Sequence, residues 1–262
     1  MKRSISIFMA LLFTLPMFAG NGNHHGKKGG DQWLCGGIRA GAVNTWLMNK
    51  NMMNDKGLKY QPSFGGTGGL MLGFHFSEWG AIEVEGLYAL YNQKFKSASS
   101  VDSLAWTSKT SLTYLEFPIL LHFDTQNFKY IEVGVKIGML NSAKGTFDYP
   151  KYAALDYANK DIKADYNKMN TAIVFGWGTG IWGNGGLLMN MGIRLTYGIA
   201  DIVNQAGNLG GNYHPVDNTS TVKEYMPTNT ATISLHMNMD FDIGWFMTSS
   251  CGRSHKFVLF GH

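Results

Sequence analysis

The sequence has little charge, little cysteine and few long apolar runs. Charged residues make up 15% of the chain, and the formal net charge is only +4. Because no run of basic residues is present, composition gives no case for nucleic-acid binding. Beyond the first twenty residues, no segment holds the roughly twenty consecutive apolar residues that a spanning helix needs. If the mature protein lies in a membrane, it must therefore cross it as strands.

Glycine and aromatic residues are plentiful instead. The chain has 33 glycines, and 13% of its residues are aromatic. This composition is unusual for a cytosolic enzyme and common in β-barrels.

Residues 1–20 have the features of a secretory signal peptide. Lys2 and Arg3 form a charged start, an apolar segment covers residues 7–18, and small residues follow it. The alternative, an N-terminal membrane anchor, is disfavoured because the apolar run is shorter than a spanning helix. We expect Sec-type export and a flexible leader over residues 21–32.

The stretch from Leu112 to Phe123 shows the strand pattern most clearly. Its odd positions from Leu115 onward are large and apolar, whereas its even positions include Glu116 and His122. A period of two predicts a strand with one apolar face and one mixed face. Pro118 lacks a backbone donor, so we expect a bulge or a bend there.

Seven further segments alternate in the same way. Connections two, four and six are short turns, whereas the other four are longer and polar, which is typical of an outer-membrane barrel with short periplasmic turns. We therefore predict an all-β fold, an eight-stranded antiparallel up-and-down transmembrane barrel. The predicted strands cover residues 33–47, 64–76, 81–94, 112–123, 130–140, 171–182, 187–200 and 230–246.

Charge is confined almost entirely to one face of these strands. On the faces assigned to lipid the only charge is Lys94, near the external end of the third strand. An eight-stranded barrel has an interior just wide enough to be filled by side chains. We expect the inward charges to pair across a plugged lumen, with inward glycines making room for them. They are Arg39, Glu83, Glu85, Glu116, Glu132, Lys136, Arg194, His236, Asp240 and Asp242. Aromatic residues near strand ends, among them Trp79, Tyr130 and Trp182, fit interfacial girdles, although each taken singly could equally be a packing aromatic.

The two cysteines flank the predicted barrel. Cys35 begins the first strand and Cys251 follows the last, so both fall at the periplasmic end of neighbouring strands. An intrachain disulfide, two free thiols and a bridge to a partner protein all remain open. Two cysteines are too few for a metal site, and we predict no metal and no cofactor.

Catalytic groups are weakly indicated. His75 and Ser77 loosely resemble the residues of barrels that modify lipid A, but a rim histidine packed under tryptophan explains them better. Glu83, Glu85 and Glu116 could form an acid–base pair, although a neutralised lumen cluster is the simpler interpretation. We predict no catalytic residues and no enzyme.

The sequence resembles the PorT-like outer-membrane β-barrel family of Bacteroidota. The motifs that carry the resemblance are Gly36–Gly41, Ile82–Tyr88, Glu132–Gly134, Arg194–Gly198 and, above all, Tyr114-Leu115-Glu116-Phe117-Pro118-Ile119-Leu120-Leu121. The resemblance covers residues 33–247 and implies a non-enzymatic accessory role. Some members are required by the type IX secretion system, which implies periplasmic or outer-membrane partners in a secretion complex. Residues 248–262 depart from the family by continuing past the last strand.

We therefore expect an outer-membrane protein in contact with lipid, with a barrel over residues 33–247 and a periplasmic tail over residues 248–262. Two alternatives stay open. One is a lipid-A-modifying enzyme. The other is an adhesin-like barrel that binds through its loops at residues 141–170 and 201–227.

Overall fold

The strands form one closed antiparallel sheet. The computed structural model describes residues 32–77, 79–97, 105–125, 129–151, 153–184, 186–206, 226–248 and 255–259. In chain order the elements are β1 Gln32–Asn49, α1 Lys50–Asn54, β2 Leu58–Gln61, β3 Phe64–Ser77, β4 Gly80–Ser97, β5 Thr107–Asp124, β6 Lys129–Asp148, β7 Tyr157–Asp161, β8 Met169–Asn184, β9 Leu187–Gly198, β10 Thr228–Thr248 and β11 His255–Leu259, with short 3₁₀ turns at Ala153–Leu155 and Lys163–Asp165.

Eight of these strands make the barrel wall. Their order is β1-β3-β4-β5-β6-β8-β9-β10, and pairing of β1 with β10 closes the ring. The other three strands add to the wall at its ends: β2 pairs with β4, β7 with β6, and β11 with β10. The predicted eight-stranded up-and-down barrel is therefore confirmed. The predicted signal peptide, nearly all of the leader, and Cys251 lie outside the described residues.

Alternation along the strands separates an outer apolar belt from an inner face. On β3, Leu70 is 67% exposed, whereas the next residue, Met71, is 5% exposed. On β6, Val135 is 49% exposed and Lys136 is 4% exposed. The exposed apolar side chains continue around the ring through cross-strand pairs such as Ile119 with Val135. A continuous apolar belt of this size is far larger than water-soluble monomers expose, and it fits contact with lipid.

The strands are longer than the membrane requires. β1, β4 and β5 each have 18 residues, whereas about 9–11 residues of tilted strand cross a bilayer. The outward apolar positions stop after Leu90 on β4 and after Met139 on β6. The wall therefore continues beyond the lipid belt at the end that carries the long connections, which is the extracellular end. No helix in the described ranges is long and apolar enough to span a membrane.

Of the bulge or bend expected at Pro118, the bulge is wrong. Pro118 pairs regularly with Lys136 of β6. On the β4 side, the register is the same before and after Pro118, and only the pairs at positions 117 and 118 are missing. The sheet thus tolerates the absent N–H as a local gap in one ladder, without a change of register.

A bulge occurs instead at the extracellular end of the lipid belt, between β5 and β6. Thr113 pairs with Ser142, but the next residue, Tyr114, pairs with Leu140, so Asn141 is the extra residue on β6. The bulge reverses the inward and outward phase of β6 from this point on. Beyond the bulge β6 continues to Asp148, well past the predicted strand end at residue 140.

Candidate functional site in the barrel lumen

The middle of the lumen holds a compact cluster of buried charges, which we call the arginine cluster. It consists of Arg39 from β1, Arg194 from β9, Glu83 and Glu85 from β4, and Glu132 from β6. All five residues are at most 7% exposed. The strands place these side chains on inward positions of different parts of the wall, so the cluster ties opposite sides of the barrel together.

Arg194 makes the shortest contacts in the arginine cluster. Its Nη1 and Nη2 donate to the two carboxylate oxygens of Glu85 at 2.8 and 3.0 Å, and its Nε donates to Glu132 Oε1 at 2.6 Å. This is the two-pronged geometry in which a guanidinium binds a carboxylate most strongly. Buried carboxylates of this kind are tolerated only when they are paired.

Arg39 lies on the other side of the same carboxylates. Its Nη1 is 2.8 Å from Glu85 Oε1 and 3.5 Å from Glu132 Oε2, and its Nη2 is 3.5 Å from Glu83 Oε2. Two fixed positive charges therefore face three carboxylates. At the periplasmic edge, His122 Nδ1 lies 2.9 Å from Glu83 Oε1, and its Nε2 lies 3.2 Å from Asp124.

Three of these residues could in principle bind a metal. Glu83, His122 and Glu132 offer ligand atoms within 4.8 Å of one another. Arg39, however, already lies 3.5 Å from Glu83 and from Glu132, and a guanidinium is permanently charged. A divalent cation would have to sit beside that charge, so ion pairing with arginine accounts for the three residues better than metal binding does.

A second, separate ion pair lies nearer the extracellular end. Lys136 Nζ is 2.8 Å from Glu116 Oε1 and donates to the Tyr91 hydroxyl at 2.7 Å. Tyr91 in turn donates to Glu116 Oε1 at 2.5 Å. The three side chains are buried, so they provide one another with the hydrogen-bond partners that water would otherwise supply.

Replacement of Tyr91 by phenylalanine should destabilise the barrel by about 1–3 kcal/mol, because the buried Glu116 and Lys136 each lose a charge-assisted partner. The free energy of unfolding in urea, measured on protein refolded into lipid vesicles, would show the change. Tyr88→Phe is the matched control, since Tyr88 is an exposed residue on the outer face of the same strand. Equal stability of the two variants would contradict the assigned contacts.

The remaining predicted lumen residues lie apart from the arginine cluster. Asp240 accepts hydrogen bonds from Asn190 and Asn238, at 2.7 and 2.6 Å. His236 shares a 3.1 Å hydrogen bond with the Tyr130 hydroxyl. Asp242 lies near the periplasmic turn, where its backbone N–H donates to Gly186. The structure thus divides the ten predicted residues into several local groups.

Inward glycines act as spacers along rows of paired residues. In one row, Glu132 opposes Gly176, which opposes Arg194, and the glutamate reaches across the glycine to the arginine. A Cβ on Gly176 would lie 2.3 Å from Glu132 Oε1. The missing side chain is therefore what permits this ion pair.

A second row contains Tyr130, Gly178, Gly192 and His236 on four successive wall strands. A Cβ on Gly178 or Gly192 would lie within 2.4 Å of the tyrosine. Tyr130 therefore crosses both glycines and reaches His236. The girdle interpretation of Tyr130 is wrong, because the residue is 3% exposed and its ring stacks on His122 inside the barrel. Trp79 and Trp182 are exposed, as a girdle requires.

The extracellular half of the lumen holds a cluster of buried apolar residues that the strand pattern did not indicate. Inward side chains of the wall meet residues that the loops carry into the mouth. Among the loop residues, Met52, Tyr166, Ile202 and Val203 are at most 6% exposed. We call this group the apolar plug; with the wall it comprises Val43, Leu47, Met52, Ala89, Tyr91, Phe95, Leu112, Tyr114, Leu140, Ala143, Tyr166, Ile202 and Val203.

Backbone hydrogen bonds hold the loops of the apolar plug in place. Asn167 N–H donates to Ile202 at 2.8 Å, and Asn204 N–H donates to Asp165 at 2.8 Å. Tyr166 and Val203 form an isolated bridge between the two longest loops. One signal in the sequence could have indicated the plug: Ile202-Val203 is an apolar pair inside an otherwise polar connection.

The family of the chain follows from its sequence together with this closed, lipid-facing sheet. Residues 34–204 match the family described as the outer membrane protein beta-barrel domain. The match spans more than half of the chain and includes most of the wall. The chain belongs to this outer-membrane β-barrel family. Its apolar belt accordingly faces the lipid of the outer membrane.

Solved outer-membrane barrels resemble the chain at low identity. Ail of Yersinia pestis, in complex with a heparin analogue, is 10% identical, with 80% of this chain and 99% of that one covered and a TM-score of 0.35. OprG of Pseudomonas aeruginosa is 13% identical, with 82% and 96% covered and a TM-score of 0.35. AlkL, studied in lipid bilayers, is 14% identical, with 85% and 96% covered and the same score. A comparison with curated proteins finds no match.

The remaining predicted groups of this β-barrel protein lie at its periplasmic end. Cys35 is a buried free thiol that points into the barrel, where a Cβ on Gly73 would lie 2.6 Å from its sulfur. His75 stacks on Trp33 with ring centroids 4.1 Å apart. This packing is what the sequence analysis favoured for a rim histidine.

Proposed function

We propose that the protein is a non-conducting, non-enzymatic accessory component of the outer membrane that supports protein secretion. The observation that carries the proposal is the filled lumen. Charged side chains occupy its middle, and the apolar plug occupies its extracellular half together with buried polar residues such as Asn49 and Gln93. Because the described residues fill the space inside the wall with packed side chains, they favour a role through surfaces and partners over transport.

The resemblance of the sequence to PorT-like proteins points to type IX secretion as the process. A barrel of this kind would contribute a stable membrane anchor, with its periplasmic end available to secretion partners. β11 extends the sheet at that end by pairing with Gly244–Thr248 of β10. This added strand offers backbone groups beyond the wall that a partner protein could use.

A deletion strain tests the proposal. Loss of the gene is expected to reduce type IX cargo in the culture medium and to increase it in the periplasm, and the full chain should restore export. A Gly86→Ala chain is a suitable second complement, because a Cβ there would meet nothing within 4 Å. Normal export in the deletion strain, with the protein verified in the wild-type outer membrane, would contradict the secretion role.

A second candidate is binding through the extracellular loops. It is favoured by the extension of the wall beyond the lipid belt and by the ordered pairing of β7 with β6. Replacement of residues 150–160 by a short flexible linker should then abolish adhesion of cells to a host surface without affecting assembly. Unchanged adhesion would argue against this candidate.

The lipid-A-modifying alternative has a direct test. Mass spectra of lipid A should be the same in wild-type cells and in cells that carry His75→Ala and Ser77→Ala. A modification that disappears in the variant would replace our proposal with an enzymatic one.

A further inference from the structure

Five lysines gather on the outer face of the wall at its extracellular end. They are Lys59 on β2, Lys94 and Lys96 on β4, Lys109 on β5 and Lys144 on β6, and we call them the lysine stripe. Lys59 pairs directly with Lys96, and Lys94 pairs directly with Lys109. Residues that oppose each other in an antiparallel sheet point to the same face, with Cβ atoms about 5 Å apart.

The alternation of burial shows that the lysine stripe faces outward. On β4, Gln93 and Phe95 are buried inside, whereas Lys96 is exposed and Lys94 is half-buried. On β5, Ser108 and Thr110 are buried, and Lys109 between them is exposed.

The lysine stripe lies just above the lipid belt. Lys94 follows Leu90, the last exposed apolar residue of β4, by four residues on the same face, which is about 13 Å along the strand. Lys109 precedes Leu115, the first exposed apolar residue of β5, by six residues. At this height the wall passes the headgroups of the outer leaflet.

Within the described residues, the lysines of the stripe outnumber the carboxylates beside them. Like charges placed directly opposite each other in a sheet are destabilising, and two such pairs occur here. Asp161 opposes Lys144, and Asp148 lies at the end of β6. Even so, none of the five lysines forms an ion pair within the part of the chain that the structure describes.

Protection of a free sheet edge does not explain the stripe. Lysines often guard edge strands against unwanted pairing, and this could apply to Lys59 on the short strand β2. Lys94, Lys96 and Lys109, however, belong to strands that pair on both sides in the closed wall. An anion bound outside the wall would reduce the repulsion between them.

We propose that the lysine stripe binds the phosphate groups of lipid A in the outer leaflet. The stripe has the height, the outward direction and the charge that membrane-anchored phosphates require, and basic clusters at this position bind anionic headgroups. Beside it, Lys59, Lys96 and Trp106, together with one acidic residue, Asp148, line a surface depression of about 240 Å³. The proposal depends on the outer-membrane location and is independent of the secretion role.

A charge-removal variant tests this interaction in the full-length barrel. Lys94→Gln, Lys96→Gln and Lys109→Gln together neutralise the centre of the stripe. The matched control carries Lys56→Gln, Lys129→Gln and Lys168→Gln, which remove the same charge from exposed positions elsewhere. Native mass spectrometry of both variants in detergent would measure binding of lipid A that carries two phosphates, and heat-modifiable gel mobility would verify that each barrel is folded.

We expect the stripe variant to bind this lipid A about 100-fold more weakly than the wild type, because it loses three lysine charges near an anionic membrane surface. The control should bind it normally. Lipid A stripped of its phosphates should bind wild type and stripe variant equally weakly. Equal affinity of stripe variant and control for the phosphorylated lipid would overturn the proposal. Displacement of the lipid by stoichiometric inorganic pyrophosphate would overturn the assignment to a membrane lipid in favour of a soluble anion.

Discussion

Replacing Arg194 by methionine is expected to lower the free energy of unfolding of the barrel by about 3–5 kcal/mol. Arg194 donates three hydrogen bonds of 2.6–3.0 Å to Glu85 and Glu132. Without it, Arg39 would be the only arginine left to face three buried carboxylates. Removal of one partner of a buried ion pair costs far more than the pair itself contributes, because the opposite charge is left unpaired.

Urea unfolding of the barrel in lipid vesicles, followed by tryptophan fluorescence, would measure this loss. Lys129→Met is the control, since Lys129 is an exposed cation at the periplasmic end of β6, and surface changes usually stay within about 0.5 kcal/mol. Adding Glu85→Gln to Arg194→Met should recover part of the stability by removing one unpaired carboxylate. If Arg194→Met and Lys129→Met unfold at the same urea concentration, the arginine cluster does not stabilise the fold as described.

The strands of the wall could be predicted from the sequence because their alternation depends only on neighbouring residues. Each strand alternates between lipid and lumen, so the period of two in β3, β4, β5 and β10 can be read directly from neighbouring residues. The confinement of charge to one face then follows from the cost of placing a charge in lipid. Strand order and closure needed only the alternation of short and long connections.

The prediction for β6 was incomplete because a bulge breaks that local rule. The extra residue Asn141 reverses the phase of alternation, so the segment that follows looks like a loop when it is read in the old phase. Bulges depend on how two strands fit together, and the single-strand pattern does not contain that information. At Pro118, by contrast, a bulge was expected and none occurs. The proline is accommodated by a gap in the pairing of β5 with β4.

The charged residues that face the lumen could be predicted from the sequence, but most of their contacts could not. Inward positions of charged residues follow from the alternation, but their partners lie on strands far apart in the sequence, such as Glu85 and Arg194. The apolar plug depends on loops that fold back into the mouth, and no periodicity marks such loops. Tyr130 was misplaced because an aromatic residue near a strand end fits a girdle and a lumen equally well until its opposing residues are known.

The row formed by Tyr130, Gly178, Gly192 and His236 gives the second prediction with a large expected effect. Gly192→Ala is expected to destabilise the barrel by about 2–4 kcal/mol, from overpacking and from the loss of a buried hydrogen bond. The new Cβ would lie too close to the Tyr130 hydroxyl, 2.8 Å from His236 Nε2 and 2.9 Å from the Trp177 carbonyl oxygen. Urea unfolding in vesicles would measure the loss.

The rest of the row supplies the controls for Gly192→Ala. Gly86→Ala adds the same methyl group to a strand position with nothing within 4 Å, and it should leave stability nearly unchanged. Tyr130→Phe removes the hydroxyl that the new Cβ meets, so the double variant should lose less stability than the sum of the two single variants. If the stability loss of the double variant equals the sum of the two single losses, the Tyr130 side chain does not cross Gly192. Coupling between residues on β6 and β9, which are separated by β8, would instead show that glycine spacers let side chains reach past one strand to stabilise the barrel from inside.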